Sequence, residues 1–162
     1  MLIIGQLEWL NNMNRIIEII NEEISRININ KLNEINKIIR SKYPHINSGG
    51  CGVFARAFHD ITGLPYMLII DTGLLDDDPP IHVMIKLPPP DGRLYDGEGI
   101  KTKSMVREEH RYDVEGGVMF LDDEDGSIFD NYYEDLGSGL FTHCHKNDYN
   151  NIYNIIKTVL ES

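Results

Sequence analysis

An α+β fold, with helices packed on an antiparallel sheet, is predicted by three features of the 162-residue sequence. The first 44 residues carry two stretches with apolar residues at helical spacing, an apolar helix opens at Cys51 directly after a glycine-rich loop, and strand-like runs downstream are separated by proline–glycine turns. The length suits a single domain that buries one core without disulfide staples, divided into a helical pair over 1–44 and a core over 45–162.

Taken in order, Leu7, Leu10, Ile16, Ile17, Ile19, Ile20 and Ile24 mark an amphipathic helix over about 7–24. Leu32, Ile35, Ile38 and Ile39 mark a second, with Lys31, Glu34, Lys37 and Arg40 on the other side. It should stop before Pro44, because a proline disfavours helix in its predecessor. Asn47-Ser-Gly-Gly50 is a loop by its turn chemistry, and residues 51–62 form a helix ended by Gly63. Strands follow over 66–71 and 81–87, then a turn over 88–92 and a returning strand over 93–96. Around a turn centred on Pro90, His82 lies eight residues before and Asp96 six after, close enough for a modest offset to make them neighbours. A strand over 116–121 and a closing helix over 149–160 complete the chain.

Composition narrows the function. A formal net charge of -11 and a pI near 4.8 argue against nucleic acid or a membrane surface as partner, since both require a positive field. A protein or peptide substrate is the expected partner. No apolar run approaches the about 20 residues that span a bilayer, and the apolar start, broken by Glu8, lacks the basic region of a signal peptide. Two cysteines, Cys51 and Cys144, allow at most one disulfide, which fits a reducing compartment such as the cytoplasm.

Cys51 at a helix N-terminus, His82 and Asp96 are the candidate catalytic residues. A thiol attacks as thiolate, which the amides of a helix N-terminus and a neighbouring imidazolium both favour. Asp96 would accept a hydrogen bond from the second imidazole nitrogen and set the ring direction. The Cys51 backbone N–H and a second donor would hold the oxyanion, with the side chains of Asn47 and Ser48 both open as that donor. Gly49, Gly50 and Gly52 leave room for a substrate backbone.

The Gly-Gly-Cys-Gly that opens a helix, the strand with His82-Val83, and the Tyr95-Asp96 element between glycines resemble the papain-like superfamily in its transglutaminase-like and cell-wall-peptidase branches. The resemblance covers about 47–100. It implies a papain-like (transglutaminase-like) fold and a Cys51, His82, Asp96 triad that needs no cofactor or metal. The papain subfamily's upstream glutamine and its Cys-Gly-Ser-Cys-Trp signature are absent, so plain papain-type proteolysis is not implied. Hydrolysis of a peptide or isopeptide bond through a thioester is the first expectation. Acyl transfer to an amine, glutamine deamidation and a non-catalytic binding module of the same fold stay open.

Each candidate has a plainer alternative. Cys51 could be a buried small hydrophobe, His82 a core histidine, and Asp96 the head of an Asx-turn with Glu98 as the histidine's carboxylate instead. His143 and His145 flank Cys144; they are read as structural rather than as metal ligands, and either would compete as the base. The acidic run 122–126 fails the register of a calcium loop and is read as a solvated turn, while Asp76 to Asp78 form an acidic loop that would suit a basic peptide or amine.

Overall fold

The structure, a computed structural model, describes residues 15, 28–73, 78–89, 92–133 and 148–162. The helix expected over 7–24 and the His143–Cys144–His145 cluster lie outside the described residues, apart from Arg15. The described elements run α1 (Ile29–Lys42), α2 (Cys51–Thr62), β1 (Tyr66–Asp71), β2 (His82–Lys86), β3 (Leu94–Asp96), β4 (Gly99–Lys101), α3 (Lys103–Glu109), β5 (Val118–Asp123), α4 (Ser127–Tyr133) and α5 (Tyr149–Glu161). The fold is therefore mixed α and β, as expected, with five described helices and a fully antiparallel sheet in the order β4-β3-β2-β1-β5.

Alternation along the strands gives the sheet two apolar faces. Tyr66, Leu68, Val83, Ile85 and Tyr95 join one cluster with Val53, Phe54, Ala57 and Phe58 of α2 and Ile152, Ile156 and Val159 of α5. Met67, Ile69, Met84 and Leu94 join a smaller one on the other face, closed by Val106 of α3. Burial on both faces explains why β1 and β2 read as near-continuous apolar runs. Among the described residues, no helix is long and apolar enough to cross a membrane.

Helix α2 begins at Cys51 because Gly50 caps it without a side chain, and it ends where Gly63 turns left-handed at φ 69°. Its apolar side meets Tyr95 through two edge-on contacts, with ring centroids 5.6 Å from Phe54 and 5.1 Å from Phe58. The Tyr95 hydroxyl donates to the Leu32 carbonyl at 3.0 Å and so ties α1 to the sheet. Tyr95→Phe should therefore lower stability by about 1 kcal/mol in urea denaturation, with activity and secondary structure unchanged. A loss below a few tenths would mean that the tie is dispensable.

Three elements escaped the sequence reading. β4 is three residues long, and α3 buries a single residue, Val106, so neither leaves a periodic apolar signal. α4 is nucleated by an aspartate: the buried Asp123 carboxylate accepts the backbone N–H groups of Ile128 and Phe129, at 3.3 and 2.8 Å. This corrects the expectation of a solvated acidic turn over 122–126 in part: Asp122 and Asp123 end β5 and Asp123 is buried as a cap, whereas Glu124 and Asp125 form an exposed turn. Gly116, expected inside a strand, instead precedes β5. It packs its backbone against Gly73, where a side chain on either residue would overlap the other's backbone. The buried Asp71 carboxylate gathers the N–H groups of Gly73, Glu115, Gly116 and Gly117, and these donors hold it at about 2.

Candidate active site

The hairpin that carries two of the candidates is centred where the sequence puts it. Ile85 faces Tyr95 and Lys86 faces Leu94, a register symmetric about position 90. Continued by one step, that register sets Met84 across from Asp96, so His82 sits one diagonal step away on the same face. The His82 Nε2 lies 3.1 Å from Asp96 Oδ2. Both residues are buried, His82 at 3 % exposure and Asp96 at 1 %.

Cys51, the first residue of α2, stands near enough to His82 for its sulfur to act on the imidazole's titration. With Nε2 on Asp96, Nδ1 is the ring nitrogen left to meet the thiol. Burial alone would push His82 down. The negative charge available on Cys51, the hydrogen bond to Asp96, the polar contact with the Cys51 sulfur and the Asp96 charge outweigh it and raise His82 to about 10. Burial would likewise raise Asp96, but the His82 hydrogen bond, the charges of His82 and Lys101 and a backbone N–H hold it well below the usual carboxylate range.

Asp96 is held from several sides. Its Oδ1 accepts the N–H groups of Glu98 at 2.8 Å and Gly99 at 3.1 Å, which is an Asx-turn. Its Oδ2 faces His82, and its backbone carbonyl accepts the Asn36 side-chain amide at 2.8 Å. The Asx-turn and the orienting role are thus compatible, because the two carboxylate oxygens divide them. Glu98, the rival carboxylate, turns instead to Lys101 at 3.1 Å.

No protein-family model, curated protein or solved structure matches this chain.

A cleft of about 490 Å³ opens beside His82, walled by Asn47, Ser48 and Gly49 on one side and by Ile81, Glu98, Lys101, Glu109, His110 and Asp113 on the others. Of the expected oxyanion and substrate residues, Asn47 and Ser48 line this cleft. Gly50 does not: it is buried as the cap of α2, with its carbonyl accepting the Phe54 N–H, and Gly49, at φ 107°, takes the place on the wall. The Asn47 side-chain oxygen is buried with no hydrogen-bond partner among the described residues. Cys51 itself is 2 % exposed and belongs to the larger apolar cluster.

Four residues of this neighbourhood were not singled out from sequence. Asn36 lies within the apolar pattern of α1, and its polarity at a buried helical position was the available signal. Gly97 is small because a Cβ there would overlap the Ile46 side chain, which brings the 46–47 loop against the Asp96 turn. Lys101 is buried on β4. His110 caps α3 and sets its ring 5.4 Å from that of His82. Burial and the positive charge of His82 push His110 below its ordinary value, although Asp113 and Glu109 pull the other way. Among the described residues, no group of three metal-ligating side chains is gathered.

Proposed function

We propose that the protein is a thiol hydrolase of papain-like (transglutaminase-like) architecture that cleaves a peptide or isopeptide bond. The observation that carries this reading is the buried His82–Asp96 pair, with its Nε2–Oδ2 contact of 3.1 Å, which Cys51 adjoins at the start of α2 and whose histidine lines an open cleft. Cys51 Sγ attacks the substrate carbonyl, and the imidazolium of His82 gives its proton to the leaving amine, which leaves a thioester on Cys51. Neutral His82 then takes a proton from water, hydroxide adds to the thioester, and the Cys51 thiolate leaves as the acid is released, which restores the thiolate–imidazolium pair. Asp96 keeps its charge throughout and holds the ring.

The oxyanion would lie against the Cys51 backbone N–H at the start of α2. Asn47, through its Nδ2–H, and Ser48, through its hydroxyl, both line the cleft and are the candidates for the second donor. An amine in place of water would make the same thioester chemistry an acyl transfer, and a glutamine side chain as donor would make it a deamidation. The acyl donor and the acceptor that reach the cleft together decide among these outcomes.

A second reading has an observation of its own. The 2 % exposure of Cys51 within the apolar cluster is what a small core residue shows, and this favours a binding module that retains the architecture without catalysis. The two readings differ in thiol reactivity. Iodoacetamide labelling at pH 6, followed residue by residue by mass spectrometry with Cys144 as internal reference, should modify Cys51 at least tenfold faster than Cys144. His82→Ala should abolish the excess. Equal rates, indifferent to the histidine, would sink the triad and leave the binding module. A positive result leads to peptide, isopeptide and glutamine substrates in turn.

A further inference from the structure

Lys101 is an unusual neighbour for a catalytic carboxylate. It is 7 % exposed, and its Nζ lies 3.2 Å from Asp96 Oδ2, 3.1 Å from Glu98 Oε2 and 2.8 Å from Glu109 Oε2. The Asp96 oxygen that meets His82 is therefore also the one that meets the lysine. Topology makes the arrangement. Asp96 pairs with Gly99 and Leu94 with Lys101 across the β3–β4 turn, so Lys101 shares the face of Asp96, one diagonal step along. Burial would lower the lysine, but Asp96 and the hydrogen bonds to Glu109 and Glu98 hold it above its ordinary value, so it is a permanent cation here.

We propose that Lys101 is a positioning residue of the triad: it takes a share of the Asp96 carboxylate and so limits how tightly Asp96 binds the proton on His82. The inference rests on the triad reading given above. A buried carboxylate with the imidazole as its only cationic partner would hold the imidazolium strongly. That would serve the first half-reaction, in which His82 gives a proton to the leaving amine, and would stall the second, in which His82 must be neutral to take one from water. Among the described residues, the titratable groups around His82 come from four directions: Cys51 on α2, Asp96 on β3, Lys101 on β4 and His110 at the end of α3. Among the described residues, only Lys101 joins His82 on the same carboxylate oxygen. Glu98 and Glu109, each about half exposed, offset part of the lysine's charge and set how much of it reaches Asp96.

The arrangement makes a prediction of opposite signs that a merely structural lysine would not produce. In a Cys51→Ala background, where the sulfur's charge is gone, the imidazole of His82 is titrated by nitrogen and proton NMR. Adding Lys101→Met should move its midpoint upward by about one pH unit, because Asp96 then acts on the ring undivided. Adding Glu109→Gln, a change at an exposed site, should move it downward, because more of the lysine's charge bears on Asp96. Lys101→Arg should restore the parent value. A midpoint unmoved by Lys101→Met, or moved the same way by both changes, overturns the proposal. Should Lys101→Met fail to fold, Glu109→Gln and Glu98→Gln carry the test, and an unmoved midpoint in both overturns it. Because Cys51 is absent, the result is independent of thiol reactivity, so a failed alkylation experiment and a failed lysine experiment remain distinguishable.

Discussion

Asp96→Asn should destabilise the protein by about 3–5 kcal/mol, the range found when one partner of a buried charge pair is removed and the other is left uncompensated. The asparagine has the carboxylate's shape but neither its charge nor its second acceptor, so it strands two cations at once, His82 on one side and Lys101 on the other. It also presents an amide nitrogen either to those cations or to the N–H groups of Glu98 and Gly99, donor against donor in both cases. The loss should appear in urea denaturation at pH 7. The same variant should flatten the acid limb of stability. Because Asp96 titrates well below 3.8 when folded, its contribution is complete above about 3.8 and disappears as the pH falls further. Thiol reactivity should fall with it, on the order of 10³-fold or more in turnover of any substrate found, since the imidazole loses its orienter. A cost below 1 kcal/mol would show that Asp96 is not the hub on which the site is built.

Alkaline pH should remove a contribution of comparable importance from His82. Its folded midpoint of about 10 lies above the ordinary 6.5, so the folded state binds the proton more tightly than the unfolded chain does. Its contribution is therefore complete below about 6.5, declines as the pH rises, and is gone above about 10. Thermal midpoints recorded across that window should fall for the parent chain and lie nearly flat for His82→Gln. Cys51→Ala should narrow the window from its upper end, because the sulfur's negative charge is among the causes that raise the histidine. A parent chain as flat as His82→Gln would mean that the imidazole is neutral in the folded state, and the ion-pair mechanism would fail with it.

Much of the site's frame was legible residue by residue. The spacing of Val53, Phe54, Ala57 and Phe58 between two glycines marked a helix whose first residue is Cys51, and both bounds were observed. The symmetry of the hairpin about Pro90 put His82 and Asp96 within one diagonal step, as the pairing of Ile85 with Tyr95 bears out. These features are local. They depend on periodicity, on the freedom of glycine and on the stiffness of proline, all of which act over a few residues.

The sequence by itself therefore determined where the longer helices and the longer strands among the described residues lie, and which residue types face each other across the hairpin. Tertiary structure alone decided what surrounds them. Asn36 reaches the backbone of Asp96 across sixty positions of chain. The 46–47 loop rests on Gly97, and the start of α2 comes up beside the start of β2, where the Cys51 sulfur bears on His82. Lys101 illustrates the limit best, because in the sequence it is one lysine among many on an acidic chain. Its role follows only from a three-residue strand too short to leave a pattern, which folds it back beside Asp96 and closes Glu98 and Glu109 around it. Apolar burial writes a periodic record along the chain, whereas a buried polar group is paired by geometry between distant segments, and no local spacing records its partner.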